Sequence, residues 1–101
     1  MKTYQENQIQ ELYIKETADG TLILTVMPML ETLYSCPGAI LKEEDDAMLV
    51  ELVRCRINTK CPVDVVATPD PANPGNYNIA LPNTDRAVKI DYHSGAIQIW
   101  P

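Results

Sequence analysis

The chain is predicted to fold as an all-β protein, a small antiparallel β-sandwich or barrel of about seven to eight short strands. Three observations predict this class. Short apolar or alternating segments recur along the 101 residues, turn-forming residues separate them, and the composition contains eight prolines and no phenylalanine. Such a composition is typical of an aliphatic core with many fixed turns. We expect one β-rich domain over residues 9–101, preceded by a polar, flexible segment over residues 1–8.

Residues 48–57 form the longest apolar run, and their conformation decides the fold class. Interpreted as a strand, the second half of the run alternates, with Val53, Cys55 and Ile57 on one face. Interpreted as a helix, the acidic residues before the run supply an N-cap, but the apolar stripe fails at Arg56. The β-branched content favours a strand. The alternative is an α+β fold in which a helix over about 43–54 packs on an antiparallel sheet.

The N-terminal half is predicted to begin with a hairpin. Residues 9–16 and 21–30 flank the dipeptide Asp19-Gly20, and Asp-Gly is a preferred turn sequence because both residues tolerate positive φ. A two-residue loop there sets Tyr13 opposite Val26, without giving a cleanly apolar face. A longer loop or a β-bulge fits the sequence equally well.

After the long run, the chain is predicted to turn and to return as a strand over residues 63–67, which pairs with the run as a second hairpin. The loop 69–76 contains three prolines. Within it, residues 73–76 match a type II turn, with proline at the second position and glycine at the third. The loop is therefore expected to be rigid, and it leads into an alternating strand over residues 77–81.

The chain is predicted to close with another hairpin. Residues 88–92 alternate between apolar and polar side chains, and a similar segment follows Ser94 and Gly95. A two-residue loop at Ser94 and Gly95 places Tyr92 opposite Ile97.

The net charge is −6, which repels phosphate backbones, so we expect no nucleic-acid partner. The chain contains no apolar run near the roughly 18 residues that a spanning helix needs, so no membrane insertion is expected. The first residues are polar and do not resemble a signal peptide. A cytoplasmic location is the resulting expectation.

The three cysteines are odd in number and too few for a disulfide-dense scaffold. The favoured interpretation is three reduced thiols, with Cys55 buried. The alternatives are a Cys55–Cys61 disulfide across a hairpin, or a bridge from Cys36 to either of them.

No motif predicts catalytic, cofactor-binding or metal-binding residues. Met27, Met29, Met48, Cys36 and His93 are of the soft types that suit copper, but they are scattered along the sequence. The cysteines lack zinc-site spacing. The acidic residues 43–46 lack the glycine and the spacing of a calcium loop, so a solvated turn is expected.

The functional prediction is a small acidic, non-enzymatic β-domain that acts as a protein-interaction or accessory module. Residues 22–27 and 48–53 are apolar on both faces, so a two-layer sandwich would leave outer faces to cover, and a homodimer is predicted. The alternative function is a thiol or soft-metal (copper-type) binding protein. Its candidate ligands are Cys36, Cys55, Cys61, Met27, Met29 and His93.

Overall fold

The structure is a computed structural model that describes residues 2–44, 46–82, 85–92 and 94–100. In these ranges the chain forms strands and one short 3-10 helix at Glu6–Gln8. The strands are β1 Lys2–Thr3, β2 Ile9–Glu16, β3 Leu22–Pro28, β4 Tyr34–Ser35, β5 Gly38–Glu43, β6 Ala47–Arg56, β7 Val65–Pro69, β8 Tyr77–Leu81, β9 Ala87–Tyr92 and β10 Gly95–Trp100. The prediction of an all-β barrel or sandwich is confirmed.

The strands form one sheet in the order β10-β9-β6-β5-β7-β8-β3-β2, and β1 and β4 also pair with β6. The described strand pairs are antiparallel except for β6 and β9, which run parallel. The sheet curls until its edge strands β10 and β2 approach each other, so the architecture is a nearly closed barrel. The parallel pair departs from the predicted all-antiparallel arrangement.

The longest apolar run is strand β6, so the helix proposed for residues 43–54 is wrong. Strand β6 is central, with β5 and β9 along its first part and β1 and β4 along its last part. Both faces are buried in this position: Val50 and Leu52 lie in the core, and Leu49 and Val53 are buried on the other face. A strand enclosed in this way reads as a continuous apolar run, which explains the helix-strand ambiguity.

The core fills the interior of the curled sheet. Its fully buried side chains come from strands that are distant in sequence, among them Leu24 and Val26 of β3, Ile79 of β8 and Ile90 of β9. In β9 the alternate residues Val88, Ile90 and Tyr92 are buried, as the period-two pattern predicts.

Residues 2–8, part of the segment predicted to be polar and flexible, include strand β1, the 3-10 helix and a buried tyrosine. Lys2 and Thr3 pair with Arg54 and Val53 of β6. Tyr4 is 1% exposed, and its backbone N–H donates a hydrogen bond of 2.9 Å to the carbonyl of Leu52. One buried aromatic side chain therefore anchors a segment whose composition is otherwise polar.

The first hairpin has a longer loop and a β-bulge, which were the alternatives to the two-residue loop at Asp19 and Gly20. Tyr13 pairs with Thr25 instead of Val26, and the register shifts near Ile9. The loop closes where the Thr17 N–H donates to the Thr21 carbonyl at 2.8 Å. The offset of one residue sets Leu12 opposite Val26 and brings the half-buried Leu12 against the core.

The predicted pairing of residues 63–67 with the long run is wrong. Strand β7 pairs with β5 and β8, and Gly38 of β5 lies opposite Val66. Gly38 permits this approach, because a Cβ added there would lie only 2.0 Å from the carbonyl oxygen of Val65. The choice of partner therefore depends on a close contact that proximity in sequence does not reveal.

The last hairpin forms with a register two residues away from the predicted one. Tyr92 pairs with Gly95, and Ile90 pairs with Ile97. A slip of two residues keeps every side chain on its predicted face, so the alternation of the sequence fits both registers.

Candidate functional site

An apolar cleft of about 350 Å³ lies where β3 ends. Its wall includes Met27 and Pro28 at the end of β3, and Met29 and Leu30 in the segment that follows. Three tyrosines complete much of the lining, namely Tyr4, Tyr34 and Tyr77. A concave, largely apolar surface at one end of a barrel is a common place for a ligand or partner.

The segment after β3 is held in place by its backbone. The N–H of Met29 donates to the carbonyl of Gln8 at 2.8 Å, which ties the segment to the 3-10 helix. Proline cannot donate to a strand neighbour, and β3 ends at Pro28. Leu30 then emerges into solvent with 95% of its surface exposed.

The loop between β7 and β8 forms the opposite wall, with Pro74 and Gly75 lining the cleft. The N–H of Asn76 donates to the Asn73 carbonyl at 3.1 Å, and Gly75 has φ of 93°. These are the features of the predicted type II turn, which is confirmed. The loop is closed further by the Asp70 N–H, which donates to the Asn76 carbonyl at 2.9 Å.

An ion pair borders the cleft and fixes part of its wall. Arg54 of β6 binds Glu31 through two hydrogen bonds, of which the Nε to Oε1 contact is 2.9 Å. The hydrogen bond from Arg54 holds the pKa of Glu31 below its ordinary value. The two side chains are only 16% and 12% exposed, so this bidentate pair is shielded from much of the solvent.

The same guanidinium stacks on Tyr34. Its central carbon lies 3.8 Å from the ring centroid, a cation–π geometry. Lys2 Nζ donates to the Tyr34 hydroxyl at 2.9 Å, and this hydrogen bond lowers the tyrosine pKa. Lys2 therefore approaches the ring at its hydroxyl end while Arg54 covers one face. Both contacts restrict the orientation of Tyr34 beside the cleft.

Of the residues proposed as soft-metal ligands, the structure brings two to the cleft, Met27 and Met29. Met48 and Cys36 lie in the core instead. Burial raises the pKa of the Cys36 thiol to about 11. His93 lies outside the described residues. In the part of the chain that the structure describes, no three His, Cys, Asp or Glu side chains are grouped to hold a metal ion.

Cys55 and Cys61 form a disulfide, with their Cα atoms 6.0 Å apart. The expectation of three reduced thiols is therefore wrong for this pair, and the Cys55–Cys61 alternative is observed. Cys55 is buried, as expected. The bond links the end of β6 to the segment before β7, whose strands are not neighbours in the sheet.

Sequence reasoning missed most of the cleft. Tyr4 falls in the segment predicted to be flexible, Leu30 and Tyr77 fall at the ends of predicted strands, and no prediction concerns Tyr34. A usable indication was present at Leu30, because a leucine that follows the sequence Met-Pro-Met lies beyond any regular strand pattern. The lining comes from residues 4–10, 27–35 and 74–77, and the convergence of these three parts of the chain on one surface is a tertiary property.

Fold and cleft together define a small all-β, barrel-like protein with an apolar surface cleft at one end. No family model, curated protein or solved structure matches the chain, so the comparisons add nothing to this description. Among the described residues, no helix is long and apolar enough to cross a membrane.

Proposed function

We propose that this protein is a small, acidic, non-enzymatic β-domain that works as a protein-interaction module, with the apolar cleft as its docking surface. The observation that carries the proposal is the exposure of Leu30, 95%, at a cleft lined by Met27, Met29 and Tyr34. An exposed leucine alone needs no explanation, whereas one joined to a larger apolar surface marks an interaction site.

The residue types of the cleft support this proposal. Tyrosine and methionine are enriched at protein interfaces, and methionine adapts its shape to different partners. The contacts of Arg54 with Glu31 and Tyr34 order one wall in advance, which lowers the entropy cost of binding. The side chains of Glu31 and Tyr34 are therefore already engaged within the protein, and apolar burial is proposed as the main source of affinity.

The partner that best fits this surface is an extended protein segment with apolar side chains. A segment that is neutral or basic is favoured over an acidic one, because the chain carries a net charge of −6. Nucleic acid stays outside the proposal for the same reason.

We also propose that the chain associates with a second copy. The sequence predicted this from uncovered outer faces of residues 22–27 and 48–53, and the support is now a different one. The second faces of β3 and β6 are largely covered within one chain, since Leu49 and Val53 are buried and Ile23 and Met27 are half-buried. Self-association is supported instead by apolar side chains exposed elsewhere. These include Tyr13 on β2 and Ile97 on β10, the two edge strands of the sheet.

The disulfide supports a different location from the cytoplasmic one expected from the sequence. Stable disulfides form in oxidising compartments and are rare in the cytosol, where thiols are kept reduced. We therefore propose that the protein works in an oxidising compartment. Fractionation of cells and thiol labelling of the protein without reductant test this, and a fully reduced cytosolic protein contradicts it.

The thiol or soft-metal alternative has less support. Cys55 and Cys61 are bonded to each other, and Cys36 is 2% exposed, so only Met27 and Met29 share an accessible surface. Titration with Cu(I) tests the alternative. Stoichiometric binding that is lost in a Met27→Leu, Met29→Leu variant would favour it over the interaction module.

The interaction proposal is tested by selecting peptides from a random display library on the immobilised protein. Selected peptides are then titrated against the wild type, Leu30→Asp and Val66→Asp. Val66 is a matched control because it is 65% exposed and does not line the cleft. Loss of one buried leucine side chain removes about 1.5 kcal/mol or more, so Leu30→Asp is expected to bind roughly tenfold more weakly.

The control Val66→Asp is expected to bind like the wild type. Two results overturn the proposal: peptides that bind all three proteins equally, and a selection in which no peptide binds more tightly than about 1 mM.

A further inference from the structure

Strand β10 is one edge of the sheet, hydrogen-bonded among the described strands only to β9. In an antiparallel pair, alternate residues direct their N–H and C=O groups away from the partner, so the outer side of β10 presents free backbone groups. Residues 95–100 include no charged residue and no proline. Ala96, Ile97 and Gln98 are exposed.

The other edge strand, β2, is protected in the ways that discourage pairing. It carries Glu11, Lys15 and Glu16, and its register is irregular between Ile9 and Glu11. Charged side chains and bulges are the usual means of keeping an edge strand single. In β10 the irregularity comes only after Gln98, so residues 95–98 are left as a regular, neutral edge.

The side chain of Ile97 shows that a neighbour is missing beyond this edge. Leu41, Val50, Ile90 and Ile97 form a row across four paired strands, through the pairs Leu41–Val50, Val50–Ile90 and Ile90–Ile97. Val50 and Ile90 are 0% and 1% exposed, whereas Ile97 is 41% exposed. Ile97 shares the inward face of the row, and it is exposed because the row ends there.

The approach of β2 to β10 does not supply this neighbour. Ile99 and Trp100 at the far end of β10 are half-buried and pack against the core. Ile97 keeps its exposure even so. The gap in the barrel is therefore open beside residues 95–98.

We infer that residues 95–98 pair antiparallel with the same segment of a second copy, about a two-fold axis that sets the two Ile97 side chains side by side. This inference rests on the self-association proposed above and assigns its surface. A two-fold axis lets one neutral edge serve both copies, and no charges oppose each other within the paired strands, despite a net charge of −6 on each chain. Main-chain hydrogen bonds and the paired isoleucines hold the contact together.

So short a contact lies below the roughly 1,200 Å² of a stable interface, so the association is weak and depends on concentration. Sedimentation equilibrium from about 20 µM to about 1 mM measures it. The wild-type mass is expected to rise towards two chains. Ile97→Lys is expected to stay at one chain throughout, because the axis sets the two lysines side by side.

Val66→Lys is the matched control. Val66 is exposed on β7, an interior strand whose two neighbours occupy its edges, so this variant is expected to associate like the wild type. A second measurement uses the wild type alone: amide exchange at residues 96–98 is expected to slow several-fold as concentration rises, since added hydrogen bonds protect the outer N–H groups.

Three results overturn the inference. They also distinguish its failure from failure of the proposed self-association and of the proposed docking cleft. A wild-type mass of one chain at about 1 mM removes both self-association and the β10 surface. A dimer that Ile97→Lys leaves intact, or one formed without slowed exchange at residues 96–98, removes only the β10 surface. Peptide binding at the cleft is unaffected by any of them.

Discussion

Reduction of the Cys55–Cys61 disulfide is expected to destabilise the protein while leaving it folded. Strand β6 is paired with β5, β9, β1 and β4 whether or not the bond is present, so the sheet does not depend on it. The turn that the bond closes has its own hydrogen bond, since the N–H of Thr59 donates to the Arg56 carbonyl at 3.2 Å. Reduction therefore acts mainly by freeing the unfolded chain.

The magnitude follows from the length of the closed loop. The two cysteines are separated by 6 positions. A loop of that length restricts the unfolded chain by an entropy worth about 2 kcal/mol at 25 °C. For a domain of this size, that corresponds to a fall in the melting temperature of roughly 10 °C, and to a fall of about 1 M or more in the urea midpoint.

Urea unfolding followed by Trp100 fluorescence, with and without reductant, measures the effect. A Cys55→Ser, Cys61→Ser variant is the control, because its midpoint should not respond to reductant. Thiol titration near pH 8 should find none reactive in the untreated native protein, since Cys36 is buried with its pKa raised to about 11.

On unfolding, the untreated protein should expose one reactive thiol, that of Cys36. On unfolding, the reduced protein should expose three reactive thiols. Equal midpoints with and without reductant, or three thiols in untreated unfolded protein, would refute the reasoning.

Two further predictions concern stability. Glu31→Gln is expected to cost about 1.5 kcal/mol at pH 7, since it removes the carboxylate that Arg54 binds. The pKa of Glu31 is lowered in the fold, so the wild-type advantage is complete above its ordinary value of 4.5 and is lost as the pH falls through the lower, folded pKa. The urea midpoints of the wild type and Glu31→Gln should converge below the folded pKa of Glu31. A constant difference between the midpoints at every pH would contradict the ion pair. Gly38→Ala is expected to cost about 2 kcal/mol, because the added Cβ meets the Val65 carbonyl oxygen at 2.0 Å. An unchanged melting temperature would show that β5 and β7 do not pack this closely.

Much of the fold could be predicted because it follows from local patterns. The alternation around Val53 and Cys55 identified a strand, since a helical stripe requires an apolar residue at Arg56, which is exposed. The turn at residues 73–76 followed from proline and glycine at positions that only one turn type accepts well. These features depend on backbone conformation within a few residues.

Registers were less well determined. In the last hairpin, a shift of two residues leaves the apolar face unchanged, so nothing in the alternation separates Ile97 opposite Tyr92 from Ile97 opposite Ile90. In the first hairpin, the choice between a tight and a longer loop depended on which face of β2 the core would accept. Alternation of apolar and polar residues identifies which side chains share a face of the strand. Several registers keep the same faces, and only packing in the folded protein selects one of them.

The sequence by itself determined that this is a β-rich chain, with strands near their observed places and turns at glycine and proline. The tertiary structure alone decided the parallel pairing of β6 with β9, the burial of Tyr4 and the cleft beside Leu30. The physical reason is distance along the chain. Local conformation is governed by neighbouring residues, whereas these features join segments that only the curled sheet brings into contact.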